Sequence, residues 1–194
     1  MKTVCVYCGS SAGKSEKYKI AAVELGKEIA KRKLTLVYGG GNIGLMGVLA
    51  DSVMKNGGKV TGVIPKNLFK RELAKKDITK LIVAKDMHER KAIMANLSDA
   101  FIALPGGIGT LEEFSEAVTW NQLKIHQKPC GLLNVKGYFN NFINFLNHSI
   151  KEDFFKKSEK FLIIIEKDPE ILIKKLKKFK KIKKVKNWKE ILEY

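Results

Sequence analysis

The sequence predicts an α/β protein built on a Rossmann-like, doubly wound parallel sheet of about six or seven strands. Short apolar runs alternate with amphipathic stretches along most of the chain. The apolar runs are continuous rather than alternating, as in parallel strands that helices cover on both faces. Three of these runs end in glycine-rich loops. Such strand-to-helix loops are where sheets of this class bind their ligands.

The predicted strands and helices follow one another in regular order. The strands cover residues 3–7, 35–38, 59–64, 80–83, 100–104, 131–135 and 161–165. Between them, the amphipathic stretches that predict helices cover residues 16–31, 45–56, 87–97, 110–124 and 138–152. This alternation is typical of a parallel sheet with helices on both faces.

Length and composition fit a single domain. With 194 residues, of which 45% are hydrophobic, the chain can bury a full core. We divide it into a Rossmann-like domain over residues 1–175 and a lysine-rich helical extension over residues 176–194. No apolar run approaches the ~18 residues of a membrane span, and the first run is too short for a signal peptide. We therefore expect a cytoplasmic protein with no membrane partner.

The net charge of +17 is spread along the chain. Residues 151–194 hold 15 lysines and 8 acidic residues, and residues 1–150 hold 22 basic and 12 acidic residues. A basic balance suits nucleic acid, but nucleic-acid faces usually use arginine for bidentate contacts and aromatic residues for stacking. Lysine greatly outnumbers arginine here. The composition therefore favours a charge that aids solubility and disfavours nucleic acid as a partner.

The first predicted strand contains two of the three cysteines. The run TVCVYC places Cys5 and Cys8 three residues apart, which puts their thiols on opposite faces of a strand. Cys130 is far away in the sequence. This pattern argues against a redox pair, a disulfide framework and a zinc site.

The first two glycine loops each miss one requirement of a nucleotide motif. CGSSAGKS has three residues between Gly9 and Gly13, where the Walker P-loop requires four. Gly39-x-Gly41-x-x-Gly44 follows a strand and opens a helix, as the dinucleotide fingerprint does. The next strand, in KVTGVIPKN, lacks the acidic residue that would bind a ribose 2′-hydroxyl. Nucleoside triphosphates and NAD are therefore disfavoured, and we predict no cofactor.

The third glycine loop, LPGGIGTLEE, follows the fifth predicted strand. Its backbone N–H groups and the start of the next helix suit a phosphate, although the two glutamates would repel one. Thr110-x-x-Glu113 has capping-box spacing, which offers Glu113 a purely structural role. Asp86-x-x-Glu89 predicts a capping box for the preceding helix and places Arg90 at the same edge of the sheet. A guanidinium and a carboxylate would then face one phosphate-binding loop.

The C-terminal segment predicts two helices. The first has Asp168 as its N-cap and Pro169 at its first position. Apolar residues then recur every three positions, so their stripe drifts around a straight helix. Residues 187–190 offer a second helix start, and we predict a break near residues 183–186. We expect the first helix to pack with a solvated lysine face rather than to lie on a membrane.

Residues 87–139, from MHERKAIMANLSDAFIALPGGIGTLEE to GLLNVKGYF, closely resemble the Lonely guy family of cytokinin riboside 5′-monophosphate phosphoribohydrolases, long mislabelled as lysine decarboxylases. The likeness extends through CVYCGSS and VYGGGNIGLMG and covers about residues 3–165, and its PGGxGTxxE signature with the upstream RK is specific. The resemblance implies a homodimer that hydrolyses the N-glycosidic bond of N6-modified AMP, and often of AMP itself. The products would be the free base and ribose 5-phosphate.

The resemblance also implies which residues form the site. Arg90 and Glu113 match the pair that the family needs for catalysis. The implied substrate-binding residues are Glu72, Arg90, Lys91, Gly106, Gly107, Gly109, Thr110, Glu112, Glu113 and Thr119. Many relatives carry a histidine three residues after the position of Glu72, where this chain has Lys75.

The chemistry of the reaction suggests roles for these residues. Cleavage builds oxocarbenium charge on the sugar, and a carboxylate near C1′, expected to be Glu113, stabilises that charge and positions or deprotonates water. The 5′-phosphate is expected on residues 107–110, with Lys91 or Arg90 beside it. Arg90 could instead orient Glu113 or assist the departing base. Met94, four residues after Arg90, either lines a base pocket or belongs to the core.

A different function is compatible with the same fold. Molybdenum cofactor carrier proteins share the expected fold and glycine loops but bind a phosphorylated pterin without hydrolysing it. Arg90 together with Glu113 disfavours this alternative. The three histidines, His88, His126 and His148, are isolated in the sequence, and we predict no metal site.

Overall fold

The structure is a computed structural model that describes residues 1–69 and 74–179. The predicted site residue Glu72 lies outside the described residues. So do the predicted break near residues 183–186 and the second C-terminal helix.

Seven parallel strands form a single sheet. They are β1 (Thr3–Tyr7), β2 (Thr35–Tyr38), β3 (Lys59–Pro65), β4 (Lys80–Ala84), β5 (Ala100–Ala103), β6 (Cys130–Leu133) and β7 (Ile163–Glu166). Their order across the sheet is β4-β3-β2-β1-β5-β6-β7. The chain moves outward from β1 to β4 and then returns to β5 on the other side of β1. The crevice between β1 and β5 is therefore the topological switch point, where doubly wound sheets bind ligands.

Helices cover both faces of this sheet. They are α1 (Glu16–Lys31), α2 (Gly44–Lys55), α3 (Lys66–Phe69), α4 (Met87–Leu97), α5 (Ile108–Gln122), α6 (Asn140–Lys151) and α7 (Pro169–Lys178), with 3-10 helices at Val135–Gly137 and Lys157–Leu162. Residues of α1, α2 and α7 share one apolar core with the sheet. Residues of α4 and α5 share the other.

Strand β1 shows why the apolar runs are continuous. Val4 and Val6 lie in the core beneath α1 and α2, whereas Cys5 and Tyr7 lie in the core beneath α4 and α5. Successive side chains of a strand point to opposite faces, and both faces are covered, so the four buried positions after Thr3 are all occupied by residues of the two cores. Cys8 lies in the opposite core from Cys5, and both thiols are free. The predicted separation of the two cysteines is confirmed.

Several predicted elements have the observed bounds, and the differences have local causes. β1, α1, β2 and α4 match the prediction to the residue. β6 ends at Leu133 rather than at residue 135, because the Asn134 side chain accepts a hydrogen bond from the backbone N–H of Phe139 at 2.8 Å and a 3-10 helix begins. β7 begins at Ile163 rather than at residue 161, because a 3-10 helix runs up to it. The short helix α3 was not predicted.

The first C-terminal helix forms as predicted. The Asp168 side chain accepts a hydrogen bond from the backbone N–H of Ile171 at 2.8 Å, and Pro169 occupies the first turn. Leu172, Ile173 and Leu176 are buried, while the lysines of this helix are exposed. Within residues 1–69 and 74–179, no helix has both the length and the apolar character needed to cross a membrane.

Candidate active site

A cavity of about 500 Å³ opens at the carboxyl edge of the sheet, over the switch point between β1 and β5. Its walls come from the segments that follow β1, β2 and β5 and from the first turns of α4 and α5. A volume of this size is within the range of ~300–1,000 Å³ that is common for small-molecule sites. The fold therefore places a ligand-sized cavity where doubly wound sheets bind ligands.

Arg90 and Glu113 meet in the wall of this cavity. Arg90 Nη1 donates a hydrogen bond to Glu113 Oε1, and the two side chains are only 9% and 11% exposed. Arg90 Nε donates a second hydrogen bond to the backbone carbonyl of Val63 at 3.1 Å. The predicted meeting of a guanidinium and a carboxylate at this edge is confirmed, and the guanidinium is fixed from two sides.

The start of α4 holds Arg90 at this position. The Asp86 side chain accepts a hydrogen bond from the backbone N–H of Glu89 at 2.8 Å, as a capping box requires. The Glu89 side chain accepts from the backbone N–H of Lys85 at 2.5 Å, one residue before the N-cap. The helix is thus capped where the sequence predicts it, with Arg90 in its first turn.

The electrostatic state of Glu113 follows from burial and from its partner. Loss of contact with water raises the pKa of the Glu113 carboxyl, and the charge and hydrogen bond of Arg90 oppose that shift. A guanidinium does not lose its proton in proteins. We therefore expect an ionised pair at neutral pH, in which Glu113 is a poorly hydrated carboxylate.

The start of α5 differs from the capping box that the sequence suggested. The N-cap is Gly107, in an extended conformation, and the helix begins at Ile108. Thr110 is therefore inside the first turn, and Glu113 lies one turn further on, bonded to Arg90. The capping-box interpretation of Thr110 and Glu113 is wrong, because a glycine starts the helix earlier and frees the glutamate. The first-turn N–H groups have no partner within the helix and lie at the cavity wall.

The glycines of the third loop have two different structural roles. A Cβ added to Gly106 would overlap the hydroxyl of the buried Thr110 and come within 2.8 Å of the backbone nitrogen of Gly9. A Cβ added to Gly107 or Gly109 would meet nothing within 4 Å. Gly106 is therefore required for packing, whereas Gly107 and Gly109 border open space that a ligand can enter.

Tyr138 and a second cavity lie next to the third glycine loop. The Tyr138 hydroxyl donates a hydrogen bond to the carbonyl of Gly106 at 2.6 Å. Gly106 lines a neighbouring cavity of about 340 Å³ rather than the larger one. The loop is thus held from its outer side by Tyr138.

The remaining predicted binding residues lie in different surroundings. Lys91 Nζ bonds Glu112 at 2.5 Å and Glu116 at 3.1 Å, which joins α4 to α5. Glu112 lines the cavity, and Lys91 does not. Thr119 is exposed on α5, six residues beyond Glu113 and outside the cavity wall. The structure therefore brings Gly107, Gly109, Thr110, Glu112, Glu113 and Arg90 together in one cavity, and neither Lys91 nor Thr119 lines it.

The sequence did not identify the apolar part of the wall. Tyr7, Met46, Leu68 and Met87 belong to it, together with Ile108 at the start of α5. Tyr7, Met46 and Met87 fall in the segments CVYCGSS, VYGGGNIGLMG and MHERK that carry the family resemblance, but nothing in those segments assigned them to a cavity wall. Met94 is fully buried beside Phe114 in the core, and the core interpretation of this residue is confirmed.

One of the three histidines is stacked on an aromatic ring, and the other two are exposed. His126 stacks on Phe101 with ring centroids 5.3 Å apart, and desolvation lowers its pKa to about 4. His88 and His148 are exposed. In the described part of the chain, no group of three or more histidine, cysteine, aspartate or glutamate side chains could hold a metal ion.

Sequence comparison relates the chain to one family. Residues 46–176 match the family model described as possible lysine decarboxylase. The chain is 50% identical over 175 residues to the cytokinin riboside 5′-monophosphate phosphoribohydrolase LOG1 of Arabidopsis thaliana, a match that covers 90% of this chain and 82% of that one. It is 49% identical over 175 residues to the cytokinin riboside 5′-monophosphate phosphoribohydrolase LOG of Oryza sativa subsp. japonica, with coverages of 90% and 72%.

Solved structures share the architecture. The molybdenum cofactor carrier protein of Chlamydomonas reinhardtii matches with a TM-score of 0.68 at 23% identity, over 91% of this chain and 96% of that one. The molybdenum cofactor binding protein of Rippkaea orientalis matches with a TM-score of 0.69 at 24% identity, over 92% and 97%. At this identity the likeness concerns the fold alone, and the predicted Rossmann-like fold is confirmed.

The two kinds of glycine in the third loop should respond differently to alanine. Gly106→Ala is expected to lower the free energy of unfolding by about 1–3 kcal/mol, because the added methyl group must displace Thr110 or Gly9. Gly109→Ala is expected to retain the parent's stability or gain up to ~1 kcal/mol, because the methyl group meets open space inside a helix. Urea denaturation followed by circular dichroism measures both. Equal stability of the two variants would contradict the packing role of Gly106.

Proposed function

The chain belongs to the Lonely guy family, whose model is described as possible lysine decarboxylase, and from this membership we propose that it hydrolyses the N-glycosidic bond of adenosine 5′-monophosphate or an N6-modified derivative. Water would replace the base at C1′, giving the free base and ribose 5-phosphate. The observation that carries the proposal is the buried carboxylate of Glu113, paired with Arg90 in a cavity that also contains the start of α5.

The phosphate group would bind at the start of α5. The N–H groups of residues 108–110 have no partner within the helix, and the helix adds positive partial charge at this end. Gly107 and Gly109 leave space for an anion to approach the backbone. Thr110 adds a hydroxyl group at the cavity wall. The phosphate would thus be held mainly by the backbone, with binding energy that can be used at the sugar.

The scissile bond would lie beside Glu113. This residue is three positions beyond Thr110, a helical rise of about 4.5 Å, so a sugar whose phosphate is at the first turn extends toward the carboxylate. Glu113 would stabilise the oxocarbenium charge and position or deprotonate the attacking water. Its hydrogen bond with Arg90 supports the role of Arg90 as the residue that orients the carboxylate.

The other members of the proposed binding set act from the periphery. Lys91 would hold Glu112 at the cavity, since the two side chains are bonded. Gly106 would keep the loop closely packed against Gly9. Glu72 and Thr119 remain in the proposed set through the family resemblance. The apolar wall residues would offer a surface for the base.

We propose that phosphate is required for efficient turnover. Charge-assisted hydrogen bonds contribute ~1.5–3 kcal/mol each, so loss of two or three should lower kcat/KM for adenosine by at least ~10²-fold relative to AMP. Base release from AMP, N6-isopentenyl-AMP and their nucleosides, followed by chromatography, measures this ratio. Equal rates on adenosine and AMP would contradict the phosphate site. Release of base from neither nucleotide would favour a carrier that binds without hydrolysis.

The role of Glu113 can be separated from that of a structural residue. Glu113→Gln keeps an acceptor for Arg90 but removes the negative charge, and base release is expected to fall by ~10²–10⁴-fold. AMP affinity by calorimetry should not fall. Some loss of stability is expected, because the buried guanidinium of Arg90 loses its counterion.

A matched control is available on the same helix. Glu116 also pairs with a cation of α4 but does not line the cavity. Glu116→Gln should therefore keep a kcat close to that of the parent. If Glu113→Gln retained more than about a tenth of the parent's kcat, Glu113 would have no place in acid–base catalysis.

We also propose that the protein is a cytoplasmic homodimer, as the family resemblance implies. Exposed apolar side chains at the C-terminal ends of α4 and α5, outside the cavity wall, support an interface there; they are Leu97, Leu123 and Ile125. Light scattering should give twice the chain mass of 21.8 kDa. Leu123→Asp with Ile125→Asp should give a monomer, because carboxylates resist burial. Ile20→Asp, an exposed position on α1, is the control. A monomeric parent would contradict the proposal.

A further inference from the structure

Lys75 is a buried cation outside the cavity. The residue is only 4% exposed. Its ammonium nitrogen lies 3.3 Å from Asn42 Oδ1, 2.9 Å from Asp51 Oδ1 and 3.0 Å from Asp77 Oδ1. Lysine is seldom buried unless its charge is paired, and here three side chains supply the partners. Burial of the ammonium group carries a desolvation cost, which suggests that the contacts of Lys75 have a function.

The acceptors of Lys75 come from different segments of the chain. Asn42 lies in the second glycine loop (residues 39–44), and Asp51 lies in α2. The backbone N–H of Lys75 also donates to the carbonyl of Gly40 at 2.9 Å, and Gly41 forms an antiparallel bridge with Ala74. The side chain and backbone of one residue therefore fix the second glycine loop to α2 and to the segment after α3.

The second glycine loop in turn touches Arg90. A Cβ added to Gly39 would overlap Arg90 Nη2 and lie 3.1 Å from the sulfur of Met46. The loop backbone is thus packed directly against the guanidinium, on a side that neither Val63 nor Glu113 occupies. A shift of the loop would open space beside Arg90 and loosen its alignment with Glu113.

We propose that Lys75 is a positioning residue, which holds the second glycine loop against Arg90 and thereby keeps Arg90 aligned with Glu113. The inference rests on the proposed hydrolytic function for its kinetic consequence, but not for the structural link. Desolvation disfavours the ammonium, yet hydrogen bonds to Asp51 and Asp77 outweigh it and raise the pKa of Lys75. Lys75 is therefore expected to stay charged over the pH range of an assay, which preserves its hydrogen bonds to the two aspartates.

The kinetic test compares Lys75→Met with Lys76→Met. Lys76 is the adjacent, exposed lysine, whose ammonium lies over the Phe69 ring, so its variant controls for loss of a positive charge. Lys75→Met is expected to lower kcat for AMP by up to ~10²-fold, because small misplacements of catalytic groups have effects of this size. Kd for AMP should change less than kcat, since the proposed phosphate site at the start of α5 is not touched. Lys75→Arg should recover most of the lost kcat.

A second measurement follows Arg90 directly. The chain has three arginines, Arg32, Arg71 and Arg90, so the Nε–H signals of arginine are few and can be assigned by NMR. The Arg90 Nε–H is bonded to Val63 and should exchange slowly in the parent. It should exchange faster in Lys75→Met and at the parent's rate in Lys76→Met.

The outcomes separate this inference from the proposed function. A folded Lys75→Met protein with a lower melting temperature but with the parent's kcat and exchange rate would overturn the positioning role. If the parent hydrolysed neither AMP nor N6-isopentenyl-AMP, the proposed function would fail, and the exchange rates would still decide whether Lys75 positions Arg90. If Lys75→Met did not fold, Asn42→Ala, which removes the acceptor on the loop, should show the same losses in smaller measure, and parent-like values would overturn the inference.

Discussion

The buried pair of Arg90 and Glu113 is the interaction on which the rest of the site depends. A guanidinium and a carboxylate that are each about nine-tenths buried lose most of their hydration and need hydrogen-bond partners within the protein. Replacing such a pair by apolar side chains is often neutral or stabilising, so packing alone does not account for it. In the proposed hydrolysis, the pair would supply a poorly hydrated carboxylate in a fixed orientation at the cavity wall.

The backbone around the Arg90–Glu113 pair accommodates both side chains. Val63 at the end of β3 supplies a carbonyl to Arg90, and Gly39 after β2 leaves room for its guanidinium. Gly107 starts α5 early enough for Glu113 to lie one turn inside the helix rather than at its cap. The contributing strands and helices all present these groups at the carboxyl edge. The sheet topology brings these segments to one edge. Gly39 then allows the backbone to lie close to the Arg90 guanidinium, and Gly107 determines where α5 begins relative to Glu113.

The sequence predicted the parts of the molecule that local rules decide. Continuous apolar runs located β1 and β2, and Asp86 located the start of α4. Local sequence rules gave a wrong prediction where a residue distant in the sequence competes with a nearby one for the same side chain. Thr110 and Glu113 have capping-box spacing, but Arg90, 23 residues away, offers Glu113 a charged partner.

Other site features were beyond local rules for the same reason. Lys91 was expected, as an alternative to Arg90, beside the phosphate, yet its ammonium group is paired with two glutamates of α5. The end of β6 depends on a hydrogen bond between Asn134 and Phe139 that no strand propensity reveals. The sequence marked Lys75 only as a departure from the histidine that many relatives carry, and its acceptors are brought together only by the fold.

The pair of Arg90 and Glu113 also answers the objection that a carboxylate next to the third loop would repel a phosphate. Because the guanidinium neutralises Glu113 at short range, the pair adds little net charge beside the start of α5, while burial keeps the carboxylate basic. In the proposed reaction, the same contact would allow an anion to bind nearby and would leave a negative group for the positive charge that develops at the sugar.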